Sequence, residues 1–212
     1  MSADRSDFDS WGLRPVAVFD YDGTFISGQS GLLLSEWLLK RGVLSPRTVV
    51  GLGWWGARYK LHLPYRHALA RELIFSDIGA LGIEEVDRLM SEFYDEVLVP
   101  RYRPKALEEL ARRKTEGCAT LLVSATFETI ARRAAAQLGL DGFVATQMEL
   151  DADGHYTGEV LGEVIAGKAK VKVARDWADQ FVGKGRWYLA HAYGDHHTDI
   201  ELLSASLHPH AV

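Results

Sequence analysis

The stretch Pro15-Val16-Ala17-Val18-Phe19-Asp20-Tyr21-Asp22-Gly23 is a short apolar run, rich in β-branched side chains, that stops at two aspartates and a glycine. An unbroken apolar run of this length predicts a strand buried on both faces, as in a parallel sheet covered by helices. Two further runs share the design. Residues 119–123 follow a helical pattern over 104–114 and a turn at Gly117, then lead through Ser124 into a helical stretch over 128–138. Residues 187–193 end at Gly194 and Asp195 and pass into a helical segment over 199–205. Strands alternating with helices predict an α/β fold with a Rossmann-like parallel sheet flanked by helices.

About a hundred residues of helical periodicity separate the first two strands, far more than a crossover needs. They predict an inserted helical cap over 28–104, with the α/β core built from 1–27 and 105–212. Within the insert, Ser45 and Pro46 read as an N-cap and first helical residue, and residues 83–98 space their apolar positions as an amphipathic helix does. Residues 51–64 carry Trp54, Trp55, Arg58, Tyr59 and Lys60. These aromatics are expected to pack inside the cap, the alternatives being closure over a substrate or contact with a membrane interface. Residues 144–160 alternate around Asp151-Ala152-Asp153-Gly154 and predict a hairpin.

Composition narrows the function. A net charge of -5 gives no reason to expect a nucleic-acid partner. No stretch reaches the roughly 18 apolar residues that a membrane span needs, so stable membrane insertion is not expected. One cysteine, Cys118, and an acidic polar start over residues 1–10 without signal-peptide character point to a reducing, cytoplasmic setting.

In an open parallel sheet the functional crevice lies outside the carboxyl ends of the strands. Those ends deliver Asp20 and Asp22, then Ser124, Ala125 and Thr126, then Asp195 and Asp199. Two carboxylates 4 Å apart repel by about 4 kcal/mol at an effective dielectric of 20, so four in one crevice demand a cation. An oxygen-only donor set favours a hard divalent ion, Mg²⁺ before Zn²⁺. Lys168, which with Gly167 opens a helical stretch, is expected to add positive charge, although Lys170 and Lys172 follow closely.

Asp20-Tyr21-Asp22-Gly23-Thr24, then Ser124, Lys168, and Gly194-Asp195 with Asp199 resemble the four ordered motifs of the haloacid dehalogenase superfamily. The long insert, the region around Thr157-Gly158 and the Ser124-Ala125-Thr126 form of the second motif resemble its phosphoserine-phosphatase-like branch. The resemblance implies a Mg²⁺-dependent phosphomonoester hydrolase for a small phosphorylated metabolite. Asp20 would be the nucleophile that becomes an aspartyl-phosphate, and Asp22 the acid and base. Gly23, Thr24, Ser124 and Ala125 would hold phosphoryl oxygens, and Lys168 would balance charge. Asp20, the Asp22 carbonyl and Asp195 would ligate the metal, with Asp199 orienting a metal water or Lys168.

Phosphoserine phosphatases of that branch carry a Glu nine positions after the nucleophile to meet the substrate amine. Here that position is Gln29, which argues against phosphoserine itself. Thr126 is expected to cap a helix or wall the pocket. His191, His196 and His197 crowd the end of the third strand, where His196 or His197 is expected to line the crevice, the alternative being a transition-metal site, and His208 and His210 are expected at the surface. Relatives in the branch usually continue past the segment resembling residues 208–212. Competing readings are a phospholipid-headgroup phosphatase with an interfacial cap, a phosphotransferase, and a receiver-like module that keeps its phospho-aspartate.

Overall fold

The computed structural model describes residues 12–61, 63 and 69–212. The acidic start over residues 1–10 and the end of the Trp-rich segment at Pro64 therefore lie outside the described residues. Strand β1 is Arg14–Phe19. Val16 and Val18 enter one apolar cluster, Ala17 and Phe19 the other, so the period-two alternation buries both faces as the uninterrupted run requires.

Helices α1 (Ser30–Lys40), α2 (Pro46–Lys60), α3 (Leu69–Ile78) and α4 (Ile83–Phe93) follow. A π-helical turn over Tyr94–Leu98 and a 3-10 turn over Val99–Arg101 then lead to α5 (Pro104–Thr115). The start of α2 is the expected cap: Ser45 Oγ accepts the Thr48 amide at 3.2 Å. After α5 come β2 (Ala119–Phe127), α6 (Glu128–Leu138), β3 (Gly142–Thr146), β4 (Met148–Leu150), β5 (Tyr156–Val160), α7 (Lys168–Ala178), β6 (Trp187–Gly194), α8 (Ile200–Ser204) and β7 (His208–Ala211).

The main sheet has the order β3-β2-β1-β6-β7, with every neighbouring pair parallel. The chain leaves β1 toward β2 on one side and returns to β6 on the other. That reversal opens a crevice at the carboxyl ends of β1 and β6. The alternating segment over 144–160 divides between two sheets. Its first residues belong to β3, and the hairpin proper is β4-β5, closed by Asp151 Oδ1 accepting the Asp153 and His155 amides, each at 2.9 Å.

One apolar cluster joins the sheet to the insert: Phe19, Phe25 and Phe127 share it with Leu34, Leu38, Ile74 and Phe75. Phe75 is its hinge point, with ring centroids 4.7 Å from Phe127 and 4.8 Å from Tyr156 of the hairpin. Trp54 departs from the expectation of internal packing. It is 63% exposed with the Arg58 guanidinium 5.7 Å above its ring, while Trp55 lines the cavity beside the crevice. Among the described residues no helix is long and apolar enough to cross a membrane.

Candidate active site

β1 ends at the crevice, and Asp20 is fixed there by its amide, which donates to Tyr193 O of β6 at 3.0 Å. The loop then turns at Gly23. Its φ of +76° favours glycine, and a Cβ would stand 1.9 Å from Asp195 Oδ2. The glycine thus lets β1's loop and the end of β6 bring Asp20 and Asp195 together. Carboxylate oxygens of Asp20, Asp195 and Asp199 all lie within 4.8 Å of one another. Gly194 serves the same approach from the other strand, since a Cβ there would lie 2.6 Å from Asp199 Cβ.

The buried cation at these acids is Lys170, not Lys168. Lys170 Nζ donates to Asp20 Oδ1 at 2.6 Å and to Asp199 Oδ1 at 2.5 Å, with all three side chains nearly inaccessible. The reason is helix geometry. Residues two apart lie about 200° around the axis, so Lys168 and Lys172 share the exposed side of α7, in a surface hollow next to α8, while Lys170 faces inward. Asp199 therefore positions Lys170, and its Oδ2 also accepts the His196 amide at 3.1 Å.

Burial, together with Asp199 and Asp22 nearby, pushes the Asp20 carboxyl up to about 7 against the pull of Lys170. Burial works against the Lys170 ammonium too, but the two carboxylates more than offset it and hold its pKa above the ordinary value. Asp195 is raised by partial burial and by Asp199. The donor set is oxygen-only, clustered and short of positive charge among the described residues, which fits a hard divalent cation.

Asp22 occupies a different environment. Its Oδ1 accepts the Ser30 amide at 2.7 Å at the start of α1, and its Oδ2 accepts the Ser30 hydroxyl at 2.9 Å. Ser30 Oγ also meets Thr126 Oγ1 at 2.7 Å. Thr126 thereby holds the residue that holds Asp22. Burial raises the Asp22 pKa, opposed by the Ser30 bonds. Ser124 lines the cavity, and its Oγ accepts the Thr126 amide at 3.2 Å, leaving its own hydrogen to donate. Ala125 lines the cavity as well, its carbonyl accepting Arg71 Nε at 3.0 Å.

Gly23 and Thr24, which the resemblance assigns to phosphoryl oxygens, lie in the turn that follows β1. Their amides donate within the loop, to Gly28 O at 3.1 Å and Tyr21 O at 3.3 Å, and neither residue lines the cavity. Arg103 instead donates to the Gly23 carbonyl. Gln29 lines the cavity where the chain enters α1. His191 is separated from His196 and His197. It faces α5, where Arg113 Nη1 lies 3.1 Å from its Nε2, and His210 of β7 lies 3.1 Å from its Nδ1. His210 is thus half-buried in the sheet rather than a surface residue. Glu116, Cys118 and His191 form a second compact group, but the Arg113 guanidinium, 2.6 Å from Glu116, already supplies the cation there.

Two residues escaped the sequence reading. Arg71 lines the cavity near Asp22, and its signal was the spacing Arg71, Ile74, Phe75, Ile78, which puts it on the buried face of α3. Ser30 was marked only by its place before the apolar residues of α1.

A family model described as haloacid dehalogenase-like hydrolase matches residues 17–204. Phosphoserine phosphatase SerB1 of Mycobacterium tuberculosis is 28% identical over 196 residues, covering 91% of this chain and 62% of that protein. The chain thus spans less than two thirds of the mycobacterial relative's length. A histidinol-phosphatase of Neisseria meningitidis serogroup C is 23% identical over 209 residues, covering 94% and 90%. Among solved structures, a Bordetella pertussis protein of unknown function superposes with a TM-score of 0.79 at 24% identity, covering 91% of this chain and 87% of the other. A phospho-aspartyl intermediate analogue of phosphoserine phosphatase superposes with a TM-score of 0.58 at 19% identity, covering 92% and 84%.

Proposed function

Because the chain belongs to the haloacid dehalogenase-like hydrolases, we propose that it hydrolyses phosphomonoesters of small molecules through a phosphoryl group carried on Asp20. The observation that carries this reading is the division of labour between two acids two residues apart. Asp20 sits against Lys170 among carboxylates, while Asp22 is turned to Ser30. One environment suits a nucleophile beside a cation, the other an acid whose protonated form is favoured by burial.

In the first step an Asp20 carboxylate oxygen bonds to phosphorus as the ester oxygen departs, taking its proton from Asp22. In the second, Asp22, now a carboxylate, removes a proton from water. The resulting hydroxide attacks phosphorus, releasing inorganic phosphate and restoring Asp20. Ser124 donates to a phosphoryl oxygen, and Lys170 offsets the charge carried by Asp20 and the phosphoryl group. Asp20, Asp195 and the Asp22 carbonyl would hold Mg²⁺, which when bound neutralises the repulsion between the carboxylates and a phosphate dianion. Gln29 offers no charge to a substrate ammonium, so phosphoserine is a poor substrate under this reading.

Release of phosphate from p-nitrophenyl phosphate tests the proposal. Turnover should require Mg²⁺, stop in EDTA and be lost in Asp20→Asn. Activity that survives both chelation and that substitution would refute it.

A further inference from the structure

A cavity of about 460 Å³ opens from the carboxylates into the space between α1, α2 and α3. That volume is in the range of pockets that bury a drug-sized molecule, more room than a phosphorylated amino acid needs. The sheet side contributes Asp20, Ser124 and Lys170, whereas the helical side contributes Leu44, Val49, Leu52, Trp55 and Ile74. Among the described residues the helices bring two charged side chains to the lining. Glu36 is neutralised by Lys40 at 2.6 Å and is largely exposed, and Arg71 is engaged by the Ala125 carbonyl beside Asp22. The lining also reaches the surface through apolar residues, since Leu32 and Leu39 of α1 are each 48% exposed.

An ammonium or a sugar placed against the stretch formed by Leu44, Val49, Leu52 and Ile74 would give up its hydration to apolar side chains, while the polar Gln29, Ser35 and Thr126 lie elsewhere in the lining. We infer that the substrate is a phosphomonoester of an alcohol with an apolar body, an alkyl or aryl chain that fills the hollow between α1, α2 and α3 while its phosphate meets Asp20. This rests on the hydrolase reading and adds the class of leaving group. Two sources supply that chemistry, a freely dissolved ester and a single-chain lipid phosphate drawn from a membrane.

The test is a homologous series from ethyl to octyl phosphate with Mg²⁺, phosphoserine and p-nitrophenyl phosphate alongside. kcat/KM should rise about four-fold per methylene, as burial of each CH₂ gives, until the hollow is full. Leu52→Asn and Val49→Asn should flatten that slope, whereas a mere loss of folded protein lowers every ester equally and leaves the slope intact. Lysophosphatidate in phosphatidylcholine vesicles, compared with octyl phosphate in solution, identifies the source, and preference for either over ethyl phosphate supports the inference. A flat series with p-nitrophenyl phosphate still turned over overturns the inference and leaves the hydrolase reading standing. No phosphate release from any ester overturns both.

Discussion

Strand β6 passes through two clusters of charged side chains that are built on opposite terms. Toward α5, Arg113 is shared between Glu109 at 3.1 Å and Glu116 at 2.6 Å, Tyr193 donates to Glu109 at 2.7 Å, and His191 and His210 complete the group. Acids there are matched by a guanidinium and by hydrogen-bond donors. Burial raises Glu109, yet the bonds from Tyr193, Arg113 and Arg112 outweigh it and hold its carboxyl down to about 2. At the carboxyl end of the same strand, Asp20, Asp195 and Asp199 face one lysine, and burial pushes Asp20 up to about 7. One cluster is settled by its own partners. Among the described residues the other is left short of positive charge, a state that folding alone gives no reason to keep and that the proposed function would use.

Substitutions should separate the two clusters, and the largest effect falls on the unsettled one. Asp20→Asn should cost on the order of 10⁴-fold or more in kcat while circular dichroism reports an unchanged fold. Lys170→Met should cost about 10²-fold to 10³-fold in kcat, whereas Lys168→Met leaves steady-state kinetics as they were. Equal losses at the two lysines would break the assignment. Asp22→Asn should slow an alkyl phosphate by about 10²-fold more than p-nitrophenyl phosphate, whose leaving group needs no proton. At the settled cluster, Arg113→Ala should leave kcat intact and cost about 2 kcal/mol in urea unfolding. Its side chain is buried, but Glu109 and Glu116 are partly solvated and soften the loss.

The smallest effect, and the sharpest contrast, is in pH. Glu109 is lowered on folding, so its contribution is complete above the ordinary 4.5 and is lost as pH falls toward 2. Asp20 is raised, so folding is favoured while it stays protonated, and in metal-free protein that advantage disappears as pH rises from 3.8 to about 7. Thermal unfolding in EDTA should then show Asp20→Asn gaining stability over the parent at pH 8 but not at pH 4. A gain equal at both pH values would contradict the strained carboxylate.

The sequence made the central strands and their acids legible because burial on both faces leaves a continuous apolar run, and each such run here ends in Asp or Ser. β7 was hidden for the opposite reason. His208-Pro209-His210-Ala211 contains no apolar run, and its place at the sheet edge is set by pairing with β6. β3 is five residues long, opens on glycine and runs into the hairpin pattern, so alternation alone could not divide the two. Lys168 opens the helical stretch beside Gly167, but position along the chain does not decide orientation. Which of three alternate lysines turns inward depends on how α7 rests on the sheet, a tertiary fact. The spacing of Arg71 with Ile74, Phe75 and Ile78 marks a buried face of α3, but what that face meets is set only when the insert packs on Phe127 and brings Arg71 to Ala125.

The central claim is that Asp20 itself takes the phosphoryl group, and acid-quenched protein mixed with p-nitrophenyl phosphate and Mg²⁺ tests it directly. Intact-mass spectrometry followed by peptide mapping should find one added phosphoryl group, located at Asp20 and absent from Asp20→Asn. A phosphoryl group mapped to another residue, or one that persists in Asp20→Asn, would contradict the account.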